Sequence, residues 1–343
     1  MKNKMIIKSE KTEPNYRITI VITAFNRKYF LLRALDSVLK QSLERWKYDV
    51  IVTKNYYDEE VDNFLTKNDV KSIIFHGPGI GPRIINALSE IKTQIVCFLE
   101  DDDFFKPDKL KSILNEFINR PDLIYIKNNI VYKNSDFFRS REIFHINPKE
   151  VHHGLMAFSQ KEIIKYYKLG LYFNLSSISV KRELLEDYKH ILGKMILSLD
   201  FALFTCSIDT GMQMLFLSDH LSIYTVHSSY TLPSTNRFDS FILNRANVSK
   251  SYLQDVEILL NDIGNSNLKQ ILFAHSIIWR FHIKIMSKFT RRRDFFKIML
   301  LFILNKRFFK LTNAFFNCVL SFLCILSTKI GRIFYYLYFK LLS

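Results

Sequence analysis

Four consecutive acids follow an apolar run in the stretch FLEDDDFFKPDKL, and these acids are the residues best suited to chemistry. They are Glu100, Asp101, Asp102 and Asp103. Carboxylates this close together repel one another, so a cation among them would stabilise the fold. Clustered carboxylates favour a hard divalent cation, Mg²⁺ or Mn²⁺, and that cation in turn favours a diphosphate. The simpler alternative is the solvated start of a helix near Lys106, where Pro107 and first-turn acids are common.

A glycine-rich turn with an adjacent base forms a second polar group. In GPGIGPR (77–83), the three glycines let backbone approach a ligand closely, and Arg83 could pair with phosphate. The two prolines interrupt any GxGxxG or GxxxxGK[ST] pattern, which excludes the dinucleotide-binding and P-loop motifs. An ordinary strand-to-helix turn is the alternative for this stretch.

Alternating strand and helix patterns must position these groups. Apolar runs of strand length are RITIVITAF (17–25), YDVIVTK (48–54), KSIIFHG (71–77) and QIVCFLE (94–100). Helical spacing of apolar residues lies between them, which predicts a parallel sheet with right-handed crossovers. Ligands bind such sheets beyond the carboxyl ends of the strands. The loops TAFNR, NYYD and GPGIGPR and the acidic run should therefore face one crevice.

From Ile18 to Leu110 the sequence resembles the family 2 glycosyltransferases of the GT-A fold. ITIVITAFNR…LLRALDSVLKQS is similar to that family's opening strand and helix, and GIGPRIINAL…QIVCFLEDDDFFKPDKL is similar to its segment ending in an Asp-x-Asp signature. The resemblance implies an α/β fold with a Rossmann-like, mostly parallel sheet flanked by helices. It also implies a nucleotide-sugar donor, a divalent metal and sugar transfer with inversion. The Gln-x-x-Arg-Trp signature of processive synthases is absent, which favours a single-addition enzyme.

The resemblance also implies roles for the residues of the donor loops. Asp102 would be the principal metal ligand with support from Asp103, and Glu100 or Asp101 would lie near the ribose. The other residues expected to bind the donor are Thr23, Ala24, Phe25, Arg27, Asn55, Asp58 and Arg83. Asn55 stands at or near the position of the family's base-contacting Asp, and Asp58 would partly substitute for it. That departure leaves the base, uracil or guanine, open.

An inverting transfer needs one general base to deprotonate the acceptor hydroxyl. In LSLDFALF (197–204), Asp200 stands where the family usually places its base, although it could merely cap a helix running to about Ser207. LSIYTVHSS (221–229) resembles a late strand of the family that ends in a His near the metal. His227 is therefore a candidate third metal ligand. The acids at 183, 186 and 187 fit an ordinary charged helix face.

Basic residues concentrate in the C-terminal quarter. Residues 269–343 contain 14 Lys and Arg against one acid, a net charge of +13, which leaves +3 for the preceding 268 residues. Residues 311–328 form an uncharged run of 18, at the lower limit for crossing a bilayer. The bases on both flanks weaken a clean crossing. Basic helices rich in aromatic residues suit a surface of anionic lipid, while packing on the catalytic domain or a second subunit is the alternative.

These patterns predict a glycosyltransferase domain over residues 1–235 and a helical, membrane-associating region over residues 236–343. The expected acceptor is a glycan or a lipid-linked sugar, by analogy with membrane-bound enzymes. The four cysteines have no metal-ligand spacing, and the N-terminus has no secretory signal, so we expect the bulk of the chain to stay in the cytoplasm. Together with the basic C-terminal region, this predicts the cytoplasmic face of the cell membrane.

Two other functional classes share some of these sequence features. A nucleotidyltransferase acting on a sugar phosphate would also bind metal and nucleotide, but its usual glycine-rich loop is missing from TAFNRKYF. A nucleic-acid-binding protein would carry its bases on polar faces, whereas this C-terminal region is rich in Phe, Leu and Ile. The sequence therefore predicts an enzyme with no nucleic-acid partner.

Overall fold

The computed structural model describes residues 16–134, 154–155, 160–226, 237–287, 291–304 and 314–342. Its strands are β1 (Ile18–Ala24), β2 (Tyr48–Lys54), β3 (Lys71–Ile74), β4 (Ile95–Glu100), β5 (Phe104–Phe105), β6 (Leu123–Asn134), β7 (Gly154–Leu155), β8 (Ile178–Lys181) and β9 (Gln213–Val226). Its α-helices in the first part of the chain are α1 (Lys28–Leu39), α2 (Glu59–Lys67), α3 (Ile80–Ala87), α4 (Lys109–Asn119), α5 (Gln160–Lys168), α6 (Arg182–Asp187), α7 (Lys189–Leu192) and α8 (Leu199–Asp209). The C-terminal helices are α9 (Phe238–Asp262), α10 (Ser266–Met286), α11 (Arg292–Leu304), α12 (Ala314–Leu326) and α13 (Thr328–Leu342). Short 3-10 turns lie at Arg45–Lys47, Leu88–Glu90 and Leu175–Ser177.

The described strands form one mixed sheet in the order β3-β2-β1-β4-β8-β6-β9-β5, with β7 paired to β9. β1 is parallel to β2 and β4, and β2 is parallel to β3, which confirms the parallel arrangement predicted for the first 100 residues. β8 is antiparallel to both β4 and β6, and β5 is antiparallel to β9. The sheet as a whole is therefore mixed rather than mostly parallel. A strand of four residues such as β8 is too short for its sequence pattern to reveal its direction.

The core occupies both faces of the sheet because successive strand side chains point to opposite sides. In β1, Ile20 and Ile22 pack on one face with residues of α1 and α4, and Val21 packs on the other with α3 and α8. This burial on both faces explains why β1 is a continuous apolar run.

The C-terminal helices contribute to two cores. Val256 and Leu259 of α9 pack in the same cluster as Phe204 of α8, while Phe281 of α10 and Tyr335 of α13 belong to a separate helical cluster. One hydrophobic core therefore includes residues on both sides of position 235. The division there into two domains stays a prediction.

None of the helices within the described ranges is both long and apolar enough to span a membrane. The uncharged run 311–328 contains α12, which has 13 residues, and residues 311–313 lie outside the described ranges.

Candidate functional site

The carboxyl ends of β1 and β4 meet because the two strands pair in parallel, with Thr23 opposite Glu100. The backbone N–H of Asp101 extends this pairing by donating to the carbonyl of Thr23 at 3.1 Å. Thr23 and Ala24 are buried within β1, whereas the Phe25 side chain in the following loop is 53% exposed. The structure thus brings two of the predicted loops to one edge of the sheet.

The guanidinium of Arg27 lies between two of the four acids. Its Nη2 pairs with Asp101 Oδ1, and its Nη1 lies 2.5 Å from Asp102 Oδ2. Burial lowers the pKa of Arg27, but the two carboxylates outweigh that effect and raise it overall. Burial raises the pKa of Asp101 to about 7, with Arg27 and the N–H of Phe25 acting in the opposite direction. Arg27 therefore supplies part of the positive charge that the acidic run needs.

Asp103 is fully buried and hydrogen-bonded within the protein. Its Oδ1 accepts from the backbone N–H of Thr225 at 2.9 Å, and its Oδ2 accepts from Asn174 Nδ2 at 2.8 Å. Burial, followed by the neighbouring Asp102, raises the pKa of Asp103 to about 7. Burial also raises the pKa of Glu100 well above its usual range, with Asp102 and Asp103 adding to the effect. The acidic run thus lies where unneutralised negative charge is costly.

Asp200, the predicted general base, lies in the first turn of α8. Its Oδ1 accepts from the N–H of Phe201 at 2.8 Å and its Oδ2 from the N–H of Asn174 at 3.1 Å. Burial raises the pKa of Asp200 to about 6, while these two hydrogen bonds and the nearby Lys127 act to lower it. The N-cap of α8 is Ser198 rather than Asp200. Asp200 is therefore not the N-cap residue, but it accepts a hydrogen bond from the first turn of α8, and its role as the general base stays a prediction.

Asn174 joins the acidic run to the predicted base. It donates to Asp103 through its side chain and to Asp200 through its backbone, and it has a φ of 74°. Asn tolerates this left-handed conformation better than most residues. Asn174 was not predicted from the sequence, because a single left-handed residue leaves no periodic pattern. The sequence offered one signal: residues 174–185, which begin at Asn174, resemble the segment of family 2 glycosyltransferases that borders the acceptor site.

Two buried lysines hydrogen-bond the 3-10 turn that follows Asn174. Lys109 Nζ lies 2.5 Å from the carbonyl of Ser176, and Lys127 Nζ lies 2.6 Å from Ser177 Oγ. Burial lowers the pKa of each lysine to about 7, opposed by Asp103 at Lys109 and by Asp200 at Lys127. Neither lysine was predicted, since each lies in a pattern that also suits the protein surface.

Arg83, the predicted phosphate-binding residue, lies in α3 and is only 6% exposed. Its Cζ lies 5.2 Å from the centre of the Phe25 ring, and its Nε is buried without a hydrogen-bond partner. Burial lowers the pKa of Arg83, and Asp101 opposes this. The third predicted loop therefore reaches the same crevice as Phe25 and Asp101.

The two residues expected near the nucleotide base make local bonds. The backbone N–H of Asn26 donates to Asn55 Oδ1, and Asn55 Nδ2 donates to Asn26 Oδ1, both at 3.0 Å. Asp58 caps α2 by accepting from the N–H of Val61 at 3.0 Å, and it lies 3.0 Å from Lys28 Nζ. Contact of Asn55 or Asp58 with the nucleotide base of a donor stays a prediction.

The acidic run was tested for its fit to a divalent cation. Within the described ranges no three His, Cys, Asp or Glu side chains are arranged as metal ligands, and His227 lies outside those ranges. Asp102, whose side chain is 15% exposed, pairs with Arg27, and both oxygens of Asp103 accept hydrogen bonds. Mg²⁺ nevertheless binds through one or two carboxylates completed by substrate phosphates and water. The pKa of Glu100 is raised partly by the neighbouring Asp102, which indicates excess negative charge that such a cation would neutralise. The carboxylates of Glu100 and Asp102 therefore fit a divalent cation.

Comparison with known proteins supports the resemblance to family 2 glycosyltransferases. Residues 19–189 match the family model described as glycosyl transferase family 2. A protein named "Uncharacterized glycosyltransferase" from Rickettsia bellii is 27% identical over 153 residues, which cover 43% of this chain and 21% of that protein. This chain therefore matches about a fifth of that relative's length.

Two solved structures share the fold. Residues 1–349 of S. aureus TarS, in complex with UDP, align with a TM-score of 0.55 at 13% identity, covering 89% of this chain and 90% of that one. The mannosyltransferase PcManGT from Pyrobaculum calidifontis, in complex with GDP-Man and Mn²⁺, aligns with a TM-score of 0.53 at 14% identity, covering 92% and 88%. At these identities the likeness is one of fold.

Proposed function

We propose that this chain, a glycosyltransferase that belongs to glycosyl transferase family 2, transfers a sugar from a nucleotide-diphosphate sugar to a glycan or lipid-linked acceptor. The transfer inverts the configuration of the anomeric carbon. The observation that carries the proposal is the link through Asn174 between the acidic run and Asp200. It holds a charged donor crevice and a basic carboxylate in fixed relation, as a displacement at one carbon requires. One structural neighbour is in complex with UDP and another with GDP-Man, which supports a nucleotide-sugar donor and leaves the identity of the nucleotide base open.

Asp200 would take the proton of the acceptor hydroxyl. With a pKa of about 6, its carboxyl group is mostly ionised at a pH of about 7.5 and still basic enough to accept a proton. The acceptor oxygen forms a bond to the anomeric carbon while the bond from that carbon to the diphosphate oxygen breaks. The diphosphate leaves with the electron pair, and the attack from the opposite side inverts the anomeric centre.

The donor side would be held by Arg83, Phe25 and the acids of β4. The guanidinium of Arg83 carries a buried positive charge beside Asp101, so a diphosphate bound there would gain a strong hydrogen-bonding partner. Asp102, with Glu100 beside it, would hold Mg²⁺ or Mn²⁺, which when bound neutralises negative charge on the diphosphate. His227 stays a candidate for a further ligand.

The proposal extends to attachment at the cytoplasmic face of a membrane through the C-terminal helices. Large apolar side chains that are about half exposed occur on each of these helices, and α11, α12 and α13 carry six of them: Phe296, Phe322, Leu326, Ile330, Ile333 and Leu337. On α13 the three members recur at helical spacing, so they share one face. Arg293, Lys297 and Lys329 are also exposed. Exposed apolar and basic side chains together suit a surface of anionic lipid.

Turnover of a panel of nucleotide sugars tests the proposed reaction. The purified protein is incubated with UDP- and GDP-sugars, Mn²⁺ and candidate acceptors, and the nucleoside diphosphate released is measured. We expect release from donors of one base class, with an inverted anomeric configuration in the product by NMR. Release of pyrophosphate from a nucleoside triphosphate and a sugar phosphate would instead identify a nucleotidyltransferase.

A further inference from the structure

A buried carboxylate from the C-terminal region binds the turn that precedes α8. Asp255 of α9 is 0% exposed. Its Oδ1 accepts from the N–H of Ile196 at 2.7 Å, and its Oδ2 accepts from the N–H groups of Leu197 and Ser198 at 2.9 and 2.8 Å. The hydroxyl of Ser198 also donates to Oδ2 at 2.8 Å. These four donors satisfy a buried carboxylate that would otherwise be strongly destabilising.

The turn held by Asp255 lies between the glycine-rich donor loop (77–83) and Asp200, the proposed general base. Its carbonyls at Met195 and Ile196 accept from the N–H groups of Gly81 and Ile80, at 3.0 and 3.1 Å. Those two N–H groups belong to the first turn of α3, which also carries Arg83. At its other end the turn leads directly into α8, where Asp200 is the second helical residue.

The glycine-rich loop at 77–83 packs directly on this turn and on the end of α7, so a shift of the turn would displace the loop. A Cβ atom built on Gly81 would lie 1.9 Å from the carbonyl oxygen of Leu192, and one built on Gly79 would lie 2.8 Å from that of Met195. Gly79 also has a φ of 87°, which a side chain would strain. The close approach expected of these glycines is therefore made to the chain's own backbone. A displacement of the turn would be passed to α3.

We propose that Asp255 is a positioning residue that sets the donor loop and Asp200 relative to each other, so that α9 is part of the catalytic unit. This rests on the proposed function for the roles of Arg83 and Asp200, while the contacts stand independently of it. The hydrogen bonds of the Asp255 carboxylate go to residues 196–198, so it acts on the site through the turn at 195–198. A displacement of about 1 Å in such a support can lower turnover by about 10²-fold.

The test compares Asp255→Asn and Asp255→Ala with a matched control on the same helix. Asp262 lies on α9 and pairs at 3.5 Å with Lys194, at a partly exposed site beside the same turn, so Asp262→Asn removes a charge without freeing the buried N–H groups. Asn keeps one acceptor oxygen, whereas Ala keeps none. Transfer and donor affinity are measured at a temperature where circular dichroism shows each variant fully folded.

We expect kcat to fall about 10–100-fold in Asp255→Ala and less in Asp255→Asn, with no change in Asp262→Asn. Amide hydrogen exchange should quicken at residues 79–83 as well as at 195–198 in the Asp255 variants. Unchanged kcat and donor affinity in the folded variants would overturn the proposal. If the wild-type protein transfers no sugar, the proposed function fails, and the exchange data alone decide whether Asp255 couples the two loops: no change at 79–83 overturns the coupling.

Discussion

Replacing Asp200 by Asn removes the proposed base while keeping the shape of the side chain. A neutral amide cannot take the acceptor proton, so we expect kcat for transfer to fall by about 10²–10⁴-fold, the usual contribution of a general base. Donor affinity should change little, because the donor contacts are assigned to Phe25, Arg83 and the acids of β4.

The same substitution should not destabilise the protein at neutral pH. Burial raises the pKa of Asp200 to about 6 from 3.8, and at about 1.4 kcal/mol per pH unit the ionised carboxylate costs the fold about 3 kcal/mol. Asn retains an acceptor for only one of the N–H groups of Phe201 and Asn174, and leaving the other unpaired costs about 1–3 kcal/mol. The free energy of unfolding should therefore be unchanged or raised by up to about 2 kcal/mol. Since the raised pKa belongs to an acid, wild-type stability should fall relative to the variant as pH rises from about 4 to about 6, and the gap should then stay constant.

Urea unfolding at several pH values and steady-state kinetics measure the two effects on the same protein. Asp187→Asn, at an exposed acid on α6, is the matched control and should alter neither quantity. A full rate of transfer in Asp200→Asn would refute its role as base. A stability loss of several kcal/mol in that variant would refute the inference that the buried carboxylate is held at a cost.

Asp102→Asn should abolish the Mn²⁺ dependence of donor binding while the fold survives, which calorimetry with and without Mn²⁺ and a thermal melt will show; unaltered metal dependence would make Asp102 structural. Burial lowers the pKa of His275 to about 4, so wild-type stability should be lost as pH falls from about 6.5 towards 4, and His275→Phe should recover about 2–3 kcal/mol at pH ~4.5 but little at pH ~7.5 in urea melts. Exchanging Leu326 and Ile330 for Ser should weaken flotation with vesicles of anionic lipid by about 10-fold or more while leaving nucleotide binding intact, and equal flotation of the variant would leave those side chains without a lipid role.

The donor half of the fold could be predicted because its signals are local. An apolar strand, a polar loop and an amphipathic helix follow one another from Ile18 to Leu110, and parallel pairing then places the loop ends together without further information. The structure confirms the parallel pairing of β1 with β2 and β4 and brings Phe25, Arg83 and Asp101 to one crevice.

The supports of the site could not be predicted because they are made by residues distant in the chain. Asp103 is buried and hydrogen-bonded to Asn174 and Thr225, whereas Asp102 pairs with Arg27, and no spacing in the sequence reveals this difference. Asp255 lies 57 residues from Ser198 in a helix whose sequence suits an ordinary amphipathic surface. Short strands such as β8 likewise pair according to tertiary contacts rather than their own pattern.

Hydrogen exchange of the full chain with and without a nucleotide sugar tests the central proposal most directly. If four loops form one donor site, UDP- or GDP-sugar with Mn²⁺ should slow exchange together in segments 23–27, 55–58, 77–83 and 100–103, and UDP or GDP alone should protect the first three more than the last. Protection of none of these segments at millimolar donor, or protection confined to the C-terminal helices, would contradict the proposed site.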